Sequence, residues 1–189
     1  MRDKITPIIR SVTPLSISSL DKINKLVTYS FLKKGESITN IGQNNNLEYF
    51  LIKGICKSFL YTPEVEDITI SFFMSSSILS PNTTRCLEGK SIINIRALTD
   101  VEIATINADE LEKLMIEDLE ISHFANTVLR NELITKVQKE IGLASLKGKD
   151  RLERLRKQFP NIENLVPHAD IASYLGITTI SLSRLRTQS

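Results

Sequence analysis

The residues best suited to do chemistry in this 189-residue chain gather at its end. Positions 168–187 read His-Ala-Asp-Ile-Ala-Ser-Tyr-Leu-Gly-Ile-Thr-Thr-Ile-Ser-Leu-Ser-Arg-Leu-Arg-Thr, and the spacing predicts two helices crossing at a tight turn. Ile171, Ala172 and Leu175 form the inner face of the first helix. Ala172 is small where the second helix must cross, Gly176 permits a left-handed turn, Ile177 plugs the corner and Thr178 can cap the second helix. With Leu182 and Leu185 turned inward, Thr179, Ile180, Ser183 and Arg184 point outward from the start and middle of that second helix. An outward guanidinium there can donate twice to the acceptors on a guanine edge. Thr178 and Arg186 suit phosphates, which position a helix without reading sequence. The pattern points to double-stranded DNA as a partner.

Charge agrees with that reading. Residues 1–142 carry 16 Lys and Arg against 18 Asp and Glu, whereas residues 143–189 carry 8 against 4. Basic surface concentrated in a short segment is what counterion release from phosphates requires.

Other chemistries find little support. A metal-dependent enzyme on a small β-barrel needs two or three histidines and a carboxylate, and the chain's two histidines, His123 and His168, fall in predicted helices outside the strands. They supply no Ser-His-Asp set, and no glycine-rich phosphate loop occurs, so catalysis is not expected. Cys56 and Cys86 lack the spacing of a metal or redox pair and are expected as buried, reduced thiols. No cofactor or metal is expected. No run approaches ~18 consecutive apolar residues, and Met1 to Arg10 lacks a signal-peptide core, which predicts no membrane association and a cytoplasmic location.

The elements that position the tail divide the chain in three. A short amphipathic helix is expected over Leu15–Leu26, with Ser18 or Ser19 at its start. From Tyr29 to Ile106 come short β-rich runs: Tyr29–Leu32, Tyr49–Ile52, Ile55–Tyr61, Ile68–Phe73, Ile92–Ala97 and Val101–Ile106. Turn chemistry such as Lys34-Gly35-Glu36 and Lys53-Gly54 separates them. That rhythm suggests an antiparallel barrel or jelly roll. After a turn Ala108–Leu114 capped by Asn107, the stretch Met115–Ile141 has neither Gly nor Pro and predicts one long helix ended by Gly142. Its stripe of Phe124, Val128, Leu129, Leu133, Ile134, Val137 and Ile141 is wider and, at about 37 Å, longer than a small barrel can cover, which implies a homodimer. A basic helix Arg151–Phe159, with Asp150–Arg154 and Glu153–Lys157 pairs on its surface, stops at Pro160. The fold class is therefore α+β, in three parts: a sensor barrel 1–114, a dimerisation helix 115–142 and a helix-turn-helix domain 143–189.

At Ile171-Ala-Ser-Tyr-Leu-Gly-Ile-Thr and Ser181-Leu-Ser-Arg-Leu-Arg186 the chain resembles the Crp/Fnr family of bacterial transcription regulators. Lys33-Lys34-Gly35-Glu36, Tyr49-Phe-Leu-Ile-Lys-Gly-Ile55 and Ile95-Arg-Ala-Leu-Thr-Asp100 are similar to that family's cyclic-nucleotide-binding barrel. The resemblance implies that Thr179, Ile180 and Arg184 touch base edges, with Ile180 departing from the acidic residue often found there. It also implies a small-molecule effector of unidentified chemistry and RNA polymerase as a further possible partner. Family members that bind cyclic AMP hold it with Gly-Glu at the start of a short helix and an Arg eleven residues after the glycine. This chain has Ser80-Pro81 and Ser91 at those positions. Pro81 removes an N–H donor and Ser91 removes the charge, so cyclic AMP is not expected to bind. Arg85 and Lys90 are the nearby cations that could stand in. The rival reading, a ligand-binding or protein-interaction module whose helical tail only clasps a dimer, predicts no salt-dependent affinity for DNA.

Overall fold

A computed structural model describes residues 3–63 and 67–187. Helices α1 (Thr6–Val12) and α2 (Ile17–Lys25) lead into strands β1 (Thr28–Leu32), β2 (Ser37–Thr39), β3 (Leu47–Lys53), β4 (Ile55–Tyr61), β5 (Asp67–Met74) and β6 (Ser77–Ile78). The short helix α3 (Asn82–Arg85) precedes β7 (Cys86–Leu87), β8 (Lys90–Ser91), β9 (Asn94–Ala97) and β10 (Val101–Asn107). Six helices complete the described chain: α4 (Ala108–Glu117), α5 (Leu119–Ser145), α6 (Gly148–Gln158), α7 (Ile162–Leu165), α8 (His168–Leu175) and α9 (Thr179–Thr187). One sheet has the order β1-β10-β3-β6, another β2-β9-β4-β5, and β7 pairs with β8. The chain forms the expected α+β class with an antiparallel sheet core.

Two compact units emerge, Met1–Cys56 with Phe73–Leu133, and Lys57–Phe72 with Ile134–Ser189. In the first, β10 lies antiparallel between β1 and β3, pairing Tyr29 with Ala104 and Ala104 with Phe50. Phe50, Ala104 and Ile106 bury their side chains together with Ile5 at the N-cap of α1, Ile9 within it, Leu20 and Ile23 from α2, and Ile121 and Phe124 from α5. The β3–β4 turn depends on Gly54, which sits at φ +99° where an added Cβ would lie 2.5 Å from the Asp100 carbonyl oxygen.

The predicted long helix is broken at Asp118, between α4 and α5. No Gly or Pro marks the break; side-chain chemistry makes it. Asp118 accepts from the backbone N–H of Glu120 at 3.1 Å, so it caps α5, and its other oxygen takes Lys22 Nζ at 2.7 Å and Ser19 Oγ at 2.9 Å. Those donors, Lys22 first, pull the Asp118 carboxyl down to about 2. At the other end α5 runs through Gly142, the residue expected to stop it, and continues to Ser145. The amphipathic helix α2 starts at a different cap, Ser16, and α1 and α7 are elements that the sequence pattern does not announce.

In the second unit Leu152, Leu155, Ile162, Ile171, Leu175 and Leu182 are buried. Lys57 on β4 is buried and forms ion pairs of 2.7 Å with both Asp67 and Asp170. The Thr69 N–H donates to Ser173 Oγ at 2.9 Å, and Ser173 Oγ donates to the Asp67 carbonyl at 3.1 Å. These bonds tie the β4–β5 segment of this unit to α8. The expected Asp150–Arg154 and Glu153–Lys157 pairs do not form among the described residues.

Candidate nucleic-acid interface and effector region

Helices α8 and α9 meet at Gly176, which caps α8 in the left-handed conformation at φ 64°. The Ile177 N–H returns to the Ala172 carbonyl at 3.0 Å, closing the turn. Thr178 Oγ1 accepts from the Ser181 N–H at 3.1 Å and so caps α9. Leu182 is buried against the first helix while Thr178, Thr179, Ile180, Ser183, Arg184 and Arg186 are all exposed. Thr179, Ile180, Ser183 and Arg184 give one face of α9 two hydroxyls, a branched alkyl group and a guanidinium. Ile180 is 66% exposed.

Arg186 differs from Arg184. Its Nε donates to Glu163 Oε1 at 2.9 Å and Nη1 lies 3.3 Å from His168 Nδ1. Glu163 also takes Arg156 Nε at 2.6 Å, and these guanidinium groups, Arg156 first, hold its carboxyl below the usual range. His168 accordingly serves as a local hydrogen-bond partner, and His123 lies on the exposed side of α5.

The effector region belongs to the first unit. Ser80 and Pro81 stand directly before the four-residue α3, with Pro81 at its N-cap, where the family resemblance puts the start of a short helix. Ser80 is buried and donates from Oγ to Glu132 Oε1 at 2.7 Å. Both oxygens of Glu48 accept from the Asn82 N–H at 3.0 Å, so the protein's own carboxylate occupies the first free amide of the helix. Burial pushes the Glu48 carboxyl up, the amide and Arg85 opposing it. Arg85 is fully buried: Nε donates to the Ser80 carbonyl at 2.9 Å, Nη2 donates to the Leu47 carbonyl, and the guanidinium lies 4.6 Å from the Tyr49 ring centre. Ser91 is buried and donates to the Ile93 carbonyl at 2.7 Å, while Lys90 is exposed on the β7–β8 hairpin. The structure therefore brings Ser80, Pro81 and Arg85 together with Glu48, a residue that the sequence pattern does not single out. The pocket beside Pro81 is about 80 Å³, with Phe50, Phe124 and Val128 in its wall and Glu48 as its charged lining residue. Cys56 is buried and its thiol is pushed up to about 12, whereas Cys86 is only partly covered, less than expected.

Residues 30–118 match the cyclic nucleotide-binding domain family. The chain is similar in structure to FixK2 from Bradyrhizobium japonicum, with TM-score 0.74, 18% identity, and 86% of this chain and 83% of that one covered. It is similar also to the c-di-GMP responsive regulator CLP of Xanthomonas campestris, with TM-score 0.71 and 15% identity over 92% and 91% of the two chains. A Crp/Fnr-family protein from Eubacterium rectale gives TM-score 0.68 and 17% identity over 97% and 86%. The chain shares the fold of these solved structures. No curated protein sequence matches it. No helix among the described residues is long and apolar enough to cross a membrane.

Proposed function

We propose that the protein is a sequence-specific, double-stranded-DNA-binding transcription regulator that acts as a homodimer and does not respond to cyclic AMP. Residues 1–114 act as its sensor, 115–142 as its dimer helix and 143–189 as its DNA-binding domain. The observation that carries this reading is the face of α9. Thr179, Ile180, Ser183 and Arg184 are exposed together on a helix whose opposite side is anchored by Leu182, and its first turn is capped by Thr178. Dimerisation is supported by the apolar stripe of α5, where Leu133, Ile134, Val137 and Ile141 are 43–64% exposed in the single chain. Unresponsiveness to cyclic AMP is supported by Glu48 on the α3 amide and by the enclosure of Arg85 between carbonyls and Tyr49.

Selection of binding sites from random duplexes tests the reading. The wild type should enrich a pseudo-palindrome with half-sites about 34 Å apart, the same with or without cyclic AMP. Arg184→Ala should relax preference at one base pair of each half-site, a contact of about 1–3 kcal/mol. Arg186→Ala should weaken all sequences alike and flatten the salt slope by about one unit. An unchanged motif for Arg184→Ala removes α9 from the role of recognition helix. Val128→Glu with Leu129→Glu should sediment as a monomer; a dimer would move the seam elsewhere.

A further inference from the structure

The second unit holds a groove of about 730 Å³ between the end of α5, α6 and α8. That volume lies in the range of small-molecule sites, roughly 300–1,000 Å³. Four cations line it, Lys139, Arg151, Arg154 and Lys157, and its described lining includes no Asp or Glu. Leu143, Leu155 and Tyr174 give it an apolar wall.

The cations are not neutralised from within. Among the described residues Lys139 meets only the Ile70 carbonyl and the Tyr174 ring, 4.1 Å from its centre. Burial, helped by neighbouring Lys136, lowers Lys139 to about 8. Arg151 Nε is buried without a hydrogen-bond partner, although Nη1 donates to the Leu146 carbonyl at 2.7 Å. Arg154 and Lys157 have no ion-pair partner among the described residues. Like charges brought together around open volume, one of them desolvated, repel each other unless an anion joins them.

We propose that this groove binds a phosphate-bearing small molecule of nucleotide size, its anionic end among Arg151, Arg154, Lys157 and Lys139 and its apolar part against Leu143, Leu155 and Tyr174. Since Tyr174 and Leu175 belong to α8, such a ligand would touch the helix-turn-helix directly. The site is independent of the short helix α3 and of the exposed face of α9.

Calorimetry on the full chain without DNA tests the proposal, with ATP and inorganic pyrophosphate as probes. ATP should bind once per chain, and pyrophosphate, which lacks the apolar part, at least tenfold more weakly. Arg154→Gln with Lys157→Gln, both exposed positions, should weaken ATP at least tenfold while leaving the melting temperature of the free protein within about 2 °C. In parallel, saturating ATP should slow acetylation of Lys139 and Lys157 by acetic anhydride and leave Lys90 and Lys113 unchanged. Absence of heat with both probes, an ATP affinity unchanged in the double variant, or protection confined to lysines outside the groove would overturn the proposal. Because no DNA is present, failure here leaves the reading of α9 standing, and failure of site selection leaves this one standing.

Discussion

Cations gather in two places in this chain and are held in opposite ways. In the first unit each guanidinium nitrogen of Arg85 has a fixed acceptor, the Ser80 carbonyl, the Leu47 carbonyl or Cys86 Sγ. In the second, Lys139, Arg151, Arg154 and Lys157 surround open volume without a carboxylate in the described lining. A buried cation whose donors all end on the protein is scaffold, because withdrawing it orphans its acceptors. Cations left facing a cavity are available to an anion from outside. Lys57 shows that the contrast does not follow from the unit alone, since it lies in the second and is nonetheless enclosed by Asp67 and Asp170.

The largest test of the contrast is Arg85→Met. It keeps much of the volume but leaves two carbonyls without donors, and should lower the stability of the folded chain by about 3–5 kcal/mol, read from the urea midpoint. A loss below about 1 kcal/mol would place Arg85 with the groove cations instead. Next is Asp170→Ala, which leaves Lys57 with Asp67 alone and should cost about 2–3 kcal/mol. Arg154→Ala and Lys157→Ala, by contrast, should each stay within about 0.5 kcal/mol. Equal losses for all four substitutions would erase the distinction between enclosed and open cations.

Much of this fold is legible in the sequence, and for a physical reason. The helix-turn-helix is local: Ala172, Gly176, Thr178 and Leu182 lie within eleven positions, so their spacing alone states the geometry, and the expected cap and left-handed turn are both present. Strands β1, β3, β4, β5, β9 and β10 show through turn residues and alternation, whereas the short β2, β6, β7 and β8 do not, and it is the family resemblance that places Ser80-Pro81 at the start of a short helix. The features that stay hidden depend on partners distant in sequence. The break at Asp118 needs Ser19 and Lys22, about a hundred residues earlier. The enclosure of Arg85 needs Leu47 and Tyr49. Nothing in the run from Lys136 to Lys157 announces that its cations converge, because the expected Asp150–Arg154 and Glu153–Lys157 pairs suggest instead that they are neutralised on the surface of α6.

Removing the charge of Lys139 sharpens the comparison most, because it isolates charge from packing. Lys139 falls to about 8 from an ordinary 10.5, chiefly through burial, with Lys136 second, and it shares its groove with Arg151, Arg154 and Lys157. A base whose value is lowered by folding binds its proton more weakly in the folded chain. Between about pH 8 and pH 10.5 the unfolded chain therefore holds the extra proton, and stability should rise with pH through that window. Below pH 8 the penalty is present in full. Lys139→Met removes the charge and keeps the stem, so at pH 7 it should raise the melting temperature by about 2–4 °C. The advantage over the wild type should shrink as pH climbs and vanish near pH 10.5, where the wild-type amine is itself neutral when folded. A gain that stays constant across the window would trace to packing against Tyr174 rather than to an uncompensated charge. A loss at pH 7 would mean that the ammonium stabilises the groove, and Lys139 would then belong with Arg85 and Lys57 among the enclosed cations.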